Sequence, residues 1–299
     1  DGRLAGGRMI VTAADGGEIR VCSLKREEVQ PSYGGRLELV DSGEGLVLIN
    51  ELYLEDYLKK VIPSEMPPSY EKEALKAQAV CARTYAYMQI QSNTYSQYGA
   101  HVDDSTNFQV YNNMAGDPNT EAAVDETYGK MLLYEGKPVT TYYFSTSCGT
   151  TADSSVWGGD PGLTPYLKGV TLQPGRRTLK FDSNDEFASF IKRMDYPAYD
   201  SSFPFYRWNV TTRADILTAN IGGVGTVESL QVTERGSGGV AQALLVKGSD
   251  GEKIISGQEK IRSALGDGSL TIHRKDGGTT TGWSSLPSGF LSIEAAGRD

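Results

Sequence analysis

The sequence has 299 residues, with 29 Lys plus Arg against 38 Asp plus Glu and a formal net charge of −9. That length gives one large or two modest domains with a buried core, and the acidic balance without a Lys/Arg block argues against a nucleic-acid partner, which needs a basic footprint. The longest apolar runs, such as Leu46–Ile49 and Met131–Tyr134, are far too short to span a bilayer, so a soluble chain is expected.

In chain order, Met9–Thr12, Ile19–Leu24 and Leu37–Val40 read as short strands between Gly-containing turns, and Leu46–Ile49 reads as a continuous, buried strand. Leu54, Leu58 and Val61 then stand at helical spacing, and Pro63 is expected to end that helix and open a connector to Pro68. Ser69 is the expected N-cap of a helix of about 22 residues running toward Ser92, with Glu71 and Glu73 near its positive end. Leu75, Ala79, Ala82 and Ala86 give that helix one narrow face of mostly small residues. Asp103–Asn113 is Asx-rich and reads as an irregular loop. Glu121–Tyr128 reads as a short helix, and Met131–Tyr134 with Val139–Ser145 as a hairpin around Glu135-Gly136-Lys137. A later helix carries Phe187, Phe190, Ile191 and Met194 on one face. Strands follow at Val227–Glu234, Ala241–Lys247 and Lys253–Ser256, then a helix at Gln258–Leu265. Roughly the last thirty residues are rich in Gly, Ser and Thr and are expected to be partly mobile. With 35 glycines and 12 prolines punctuating short elements, the predicted class is α+β. The architecture expected is a helix-plus-antiparallel-sheet core with a second, β-rich subdomain and turn-rich loops. The segments expected are 1–50, β-rich; 51–170, the core with the long helix; and 171–299, a second α+β region.

Few residues are equipped for catalysis. Two histidines, His101 and His273, exclude a multi-His zinc centre, and a Ser-His-Asp triad would have to use one of them. Cys22, Cys81 and Cys148 allow one disulfide and no framework. Cys148 has no nearby His in sequence to activate it, so burial is the better reading, and Cys81 reads as a packing residue. His101, Asp103 and Asp104 form only a weak metal pattern. Glu65 lies between two prolines, where a rigid turn could fix a carboxylate and apolar neighbours could raise its pKa. The competing reading is a solvated loop glutamate. Ser145-Thr146-Ser147-Cys148-Gly149 places hydroxyls at alternate positions, suited to a polar ligand or to an ordinary turn. Gln78, Arg83 and Tyr85 share the long helix, either as a polar surface or as ligand contacts. Tyr outnumbers Phe, 17 to 8, which suits sugar-binding surfaces and half-buried sheet positions alike.

Three runs occur in order: Asn50-Glu51-Leu52-Tyr53-Leu54-Glu55-Asp56-Tyr57-Leu58, Val61-Ile62-Pro63-Ser64-Glu65-Met66-Pro67, and Glu73-Ala74-Leu75-Lys76-Ala77-Gln78-Ala79-Val80-Cys81-Ala82-Arg83-Thr84-Tyr85-Ala86. Gln109-Val110-Tyr111, Tyr143-Phe144-Ser145-Thr146-Ser147 and Val156-Trp157 follow. Together they resemble the stage II sporulation protein D family over roughly residues 36–293. The resemblance implies a peptidoglycan lytic transglycosylase, which cuts glycan between N-acetylmuramic acid and N-acetylglucosamine without water and leaves a 1,6-anhydro end. It places the catalytic glutamate on Glu65, and Gln78, Arg83, Tyr85, Ser145 and Ser147 along the glycan groove. An ordinary glycosidase needs two carboxylates; here one suffices, because the sugar's own C6 hydroxyl replaces water. The implied partners are peptidoglycan glycan strands and a cell-wall amidase. The implied location is extracytoplasmic, with membrane contact only through an anchor upstream of Asp1, and no cofactor is expected. Two departures stand out. The family's Gly/His-rich C-terminal segment is not seen after Leu286-Pro287-Ser288-Gly289-Phe290, and Tyr143-Phe144 provides no His beside Cys148, so zinc is left out. The alternatives are a catalytically weak wall-binding module or amidase modifier, and a hydrolase using Cys148 with His101.

Overall fold

The computed structural model describes residues 7–25, 30–113, 115–173, 175 and 179–296. The chain divides into two units, Asp1–Tyr143 and Phe144–Asp299. Residues 144–170, grouped above with the long helix, therefore fall in the second unit.

In the first unit, β1 (Arg8–Thr12) precedes a two-stranded pair, β2 (Ile19–Arg20) and β3 (Ser32–Tyr33). β4 (Arg36–Asp41) and β5 (Leu46–Glu51) complete an antiparallel sheet of order β1-β4-β5. Leu37 on the central strand is 2% exposed, and the buried Glu38 carboxylate beside it is paired with Arg8 and Arg36, as burial of a charge requires. β5 is not enclosed as its unbroken apolar run suggested. Among the described residues it is an edge strand paired with β4 alone, and Leu46 is 68% exposed.

Three helices follow: α1 (Leu54–Glu65), α2 (Lys72–Ile90) and α3 (Pro118–Glu126). α1 runs through Pro63 rather than stopping there. A proline deletes only its own bond to the carbonyl four residues back, and the helix needs just two more residues before Met66 N–H closes it on Ile62 O. Ser69 does not cap α2; it lies in a turn closed by Tyr70 N–H on Pro67 O, and Glu71 precedes the helix. The small-residue face is buried as expected, with Leu75, Ala79 and Ala82 at 0% exposure. They pack with Leu58, Val61, Ile62, Ala123 and Val124 into one core. Short side chains on α2 let α1 and α3 approach closely, and each buried Leu or Val contributes about 1.5–3 kcal/mol. α3 starts earlier than predicted, because Asp117 accepts Asn119 N–H as its cap and Pro118 fits the first turn. The hairpin after it is short: β6 (Leu133–Tyr134) and β7 (Lys137–Pro138) flank Glu135 and Gly136, both at positive φ, while residues 139–143 run on without a ladder.

In the second unit, α4 (Asn184–Ile191) is capped by Ser183 and buries Phe187 and Phe190; Met194 lies beyond its end and is 51% exposed, not on the apolar face. β8 (Trp208–Asn209) and α5 (Ala214–Ile221) lead to the antiparallel meander β9 (Val227–Arg235), β10 (Ala241–Gly248) and β11 (Gly251–Ser256). α6 (Gln258–Leu265) has the predicted bounds, and β12 (Ile272–Arg274) pairs with β8 and β13 (Thr279–Thr280). The core holds Leu244, Val246, Ile261 and Leu265. The Gly/Ser-rich tail is anchored, contrary to its composition. Leu286 and Leu291 are buried in that core, Leu286 N–H donates to Arg262 O, and Ala241 N–H donates to Gly289 O. The observed class is α+β, built from helices and several small antiparallel sheets. Among the described residues no helix is long and apolar enough to cross a membrane.

Candidate functional site

Glu65 is the last residue of α1, not a member of a free connector. Val61 and Ile62, one turn back, are fully buried and fix the helix end. The free carbonyls there form the negative end of the helix, which disfavours a carboxylate.

The irregular segment after Asp103 supplies what holds Glu65. Val110 N–H donates to Glu65 Oε1 at 2.7 Å, and Asn112 N–H donates to Ser64 Oγ at 3.2 Å. Between these contacts, alternate side chains of the segment point inward. Gln109 is 1% exposed, and Tyr111 stacks on Tyr57 of α1 with ring centroids 5.4 Å apart while its hydroxyl donates to Asn50 Oδ1. Gln109 Nε2 donates to Ala82 O of α2 at 3.2 Å and to the Tyr143 hydroxyl at 3.0 Å, and its Oε1 accepts from the Tyr57 hydroxyl at 3.3 Å. The Tyr143 hydroxyl in turn donates to Glu65 Oε1 at 3.3 Å.

Glu65 is half-buried, and its pKa is raised. Desolvation is the largest cause, opposed by the hydrogen bonds from Val110 and Tyr143 to the charged form. No carboxylate is among the groups that shift it. Burial also raises the Tyr57 and Tyr143 hydroxyls, so both remain protonated donors. The arrangement is a carboxyl that holds its proton more tightly than usual, with one oxygen immobilised, suited to general acid chemistry.

The other residues singled out from sequence fall in different places. Tyr85, edge-on to Tyr142 at 6.3 Å, lies near enough to Tyr57 and Tyr143 to raise both. Gln78 is buried on α2, and its Nε2 has no hydrogen-bond partner among the described residues. Arg83 is 1% exposed. Its Nε and one terminal nitrogen grip the Glu55 carboxylate at 2.8 Å each, and other bonds reach Val124 O and Lys130 O. Ser145 and Ser147 are in the second unit. Ser145 is exposed, while the Ser147 hydroxyl accepts Gly149 N–H and its own N–H donates to Asp200 Oδ2. Cys148 is buried, and burial pushes its thiol up to about 12, far from a thiolate nucleophile. Asp103 accepts from the Tyr95 hydroxyl and from Ser105, forming an Asx turn. Among the described residues no group of three or more His, Cys, Asp or Glu could hold a metal ion.

Sequence reasoning did not assign Tyr57, Gln109, Val110 and Tyr143 to the site. Gln109-Val110-Tyr111 and Tyr143 ahead of the Ser-Thr-Ser run belong to the runs that carry the resemblance, which marks these segments without assigning their contacts.

Residues 42–134 match the family model described as a stage II sporulation protein. That stretch contains Glu65, Gln109 and Val110 and stops short of Tyr143. An uncharacterized protein of Brachyspira hyodysenteriae is 38% identical over 169 residues, 53% of this chain and 45% of the relative. The amidase enhancer of Bacillus subtilis is 35% identical over 173 residues, 56% of this chain and 21% of the relative. The stage II sporulation protein D of Bacillus amyloliquefaciens is 34% identical over 154 residues, 47% of this chain and 44% of the relative. The chain spans less than half the length of each of these relatives.

Proposed function

The chain belongs, through residues 42–134, to the stage II sporulation protein D family, and from that premise we propose that it works outside the cytoplasm at the cell envelope as a lytic transglycosylase on peptidoglycan glycan strands. The observation that carries this reading is the half-buried Glu65 carboxyl, held through Oε1 by Val110 N–H and the Tyr143 hydroxyl and raised in proton affinity by burial. Intramolecular ring closure needs only one such carboxyl, whereas an ordinary glycosidase needs a second. Glu65 protonates the leaving glycosidic oxygen. The resulting carboxylate takes the proton of the C6 hydroxyl as that oxygen closes onto C1. Glu65 ends protonated again, and water is not consumed.

Tyr85, beside the Glu65 network, is a proposed glycan contact, the exposed Ser145 hydroxyl is proposed to contact glycan from the second unit, and Gln78, whose amide is buried, is proposed to act on the fold. Arg83 and Ser147 have their polar groups engaged internally and are proposed to act on the fold. The net charge of −9 suits a glycan stripped of acidic stem peptides.

The test is incubation with purified denuded glycan and mass spectrometry of the products. 1,6-Anhydro ends from wild type and none from Glu65→Gln support the reading. A second reading, a wall-binding module that modifies an amidase, is favoured by the similarity to the amidase enhancer. It predicts glycan binding without product and faster peptide cleavage when an amidase is added.

A further inference from the structure

We infer that Gln109 is a positioning residue that determines which oxygen of Glu65 carries the transferable proton. The inference deepens the reading of Glu65 as acid and base and rests on it for its catalytic meaning.

Hydrogen-bond polarity orders the groups around Gln109. Ala82 O can only accept, so the Gln109 side-chain nitrogen, not its oxygen, must face it at 3.2 Å. That leaves the amide oxygen to accept from the Tyr57 hydroxyl and the second amide hydrogen to point at the Tyr143 oxygen, 3.0 Å away. Since Tyr143 accepts from Gln109, its own proton is free to go to Glu65 Oε1. Oε1 thus receives two donors, the Tyr143 hydroxyl and Val110 N–H. An oxygen taking two donors is the poor site for a proton, so the neutral acid carries it on Oε2. Both proton transfers of the proposed reaction pass through that atom: Oε2–H breaks as the leaving oxygen gains a proton, and re-forms as the C6 hydroxyl loses one.

Gln109 is well suited to this task. At 1% exposure it has little water to replace a lost partner, and its two donated bonds and one accepted bond all require the same amide orientation. The titratable groups around Glu65 are Tyr143 and Tyr57, with Tyr85 and Tyr111 one layer out, and no ionised side chain is among the groups that shift it.

The experiment is a carbon-13 titration of the Glu65 carboxyl in the whole chain without glycan, assigned by its loss in Glu65→Gln. Tyr143→Phe removes a donor to the charged form and is expected to raise proton affinity about tenfold, one pH unit. Gln109→Met is expected to shift the midpoint the same way by a smaller amount, and to add nothing in the Tyr143→Phe background, because it acts through that hydroxyl. Gln109→Glu, close to isosteric, presents only acceptors to Tyr143 once ionised, and is expected to shift the midpoint further up. This variant answers the question if Gln109→Met does not fold. A wild-type midpoint in a folded Gln109 variant, or an equal shift with and without the Tyr143 hydroxyl, overturns the inference. Because no substrate is present, inactivity toward glycan would count against the proposed reaction and leave this titration pattern as the separate measure of Gln109.

Discussion

Replacing Arg83 by Met separates a structural clasp from a ligand contact. The wild-type guanidinium is 1% exposed and makes a two-pronged pair with Glu55, whose side chain is 18% exposed. It also supplies donors to Val124 O at the end of α3 and to Lys130 O just beyond. Met fills much of the space but leaves Glu55 without its cation and those carbonyls without donors. Removing one partner of a buried pair costs about 3–5 kcal/mol, and the partial exposure of Glu55 places this case toward the lower end. At about 2–4 °C per kcal/mol, melting of the first unit should fall by roughly 6–15 °C. Differential scanning calorimetry, which can resolve two units as two transitions, is the assay. Removing both charges, in Arg83→Met with Glu55→Met, should cost less than the single change, since no uncompensated charge remains. A single variant that melts within about 1 °C of wild type yet loses glycan binding would refute this reasoning and return Arg83 to the groove.

Two further predictions follow from Glu65 and the cysteines. The raised pKa means the folded chain binds more protons than the unfolded chain between the ordinary glutamate pKa of 4.5 and the folded value, so the Glu65 contribution to stability falls as pH rises through that window. Glu65→Gln, which keeps the acceptor for Val110 and Tyr143, should therefore melt above wild type near neutral pH, and the gap should close in acid below about pH 4; an equal gap at both pH values would contradict this. In the native chain a thiol reagent near pH 8 should label the exposed Cys22 and spare Cys148, which should react only on unfolding. Rapid native labelling of Cys148 would show that its thiol is more accessible and more acidic than described.

Much of the fold was legible where local pattern and burial agree. The small-residue face of α2 and the bounds of α6 follow from spacing, because their apolar residues meet the core at the helical period; β9, β10 and β11 are legible as strands from composition, although their burial does not alternate strictly. The misreadings have specific causes. Pro63 sits in the last turn of α1, so little helix remains after it to be disrupted. The tail looked loose because Gly and Ser outnumber its anchors, yet the buried Leu286 and Leu291 anchor it to the core. Glu65 was recognisable from its motif, but its partners were not. Gln109, Val110 and Tyr143 lie 44, 45 and 78 positions from Glu65 along the chain, on segments without helix or strand periodicity. A backbone N–H leaves no mark in the residue type, so the Val110 contact could not be read from the sequence at all.

The central claim is that Glu65 drives a cleavage in which the sugar, not water, supplies the second oxygen. It is tested most directly by digesting denuded glycan in oxygen-18 water and weighing the new ends. The account predicts 1,6-anhydro ends free of the heavy isotope from wild type, and no cleavage by a folded Glu65→Gln variant. New reducing ends carrying oxygen-18, or anhydro ends that persist in Glu65→Gln, would contradict it.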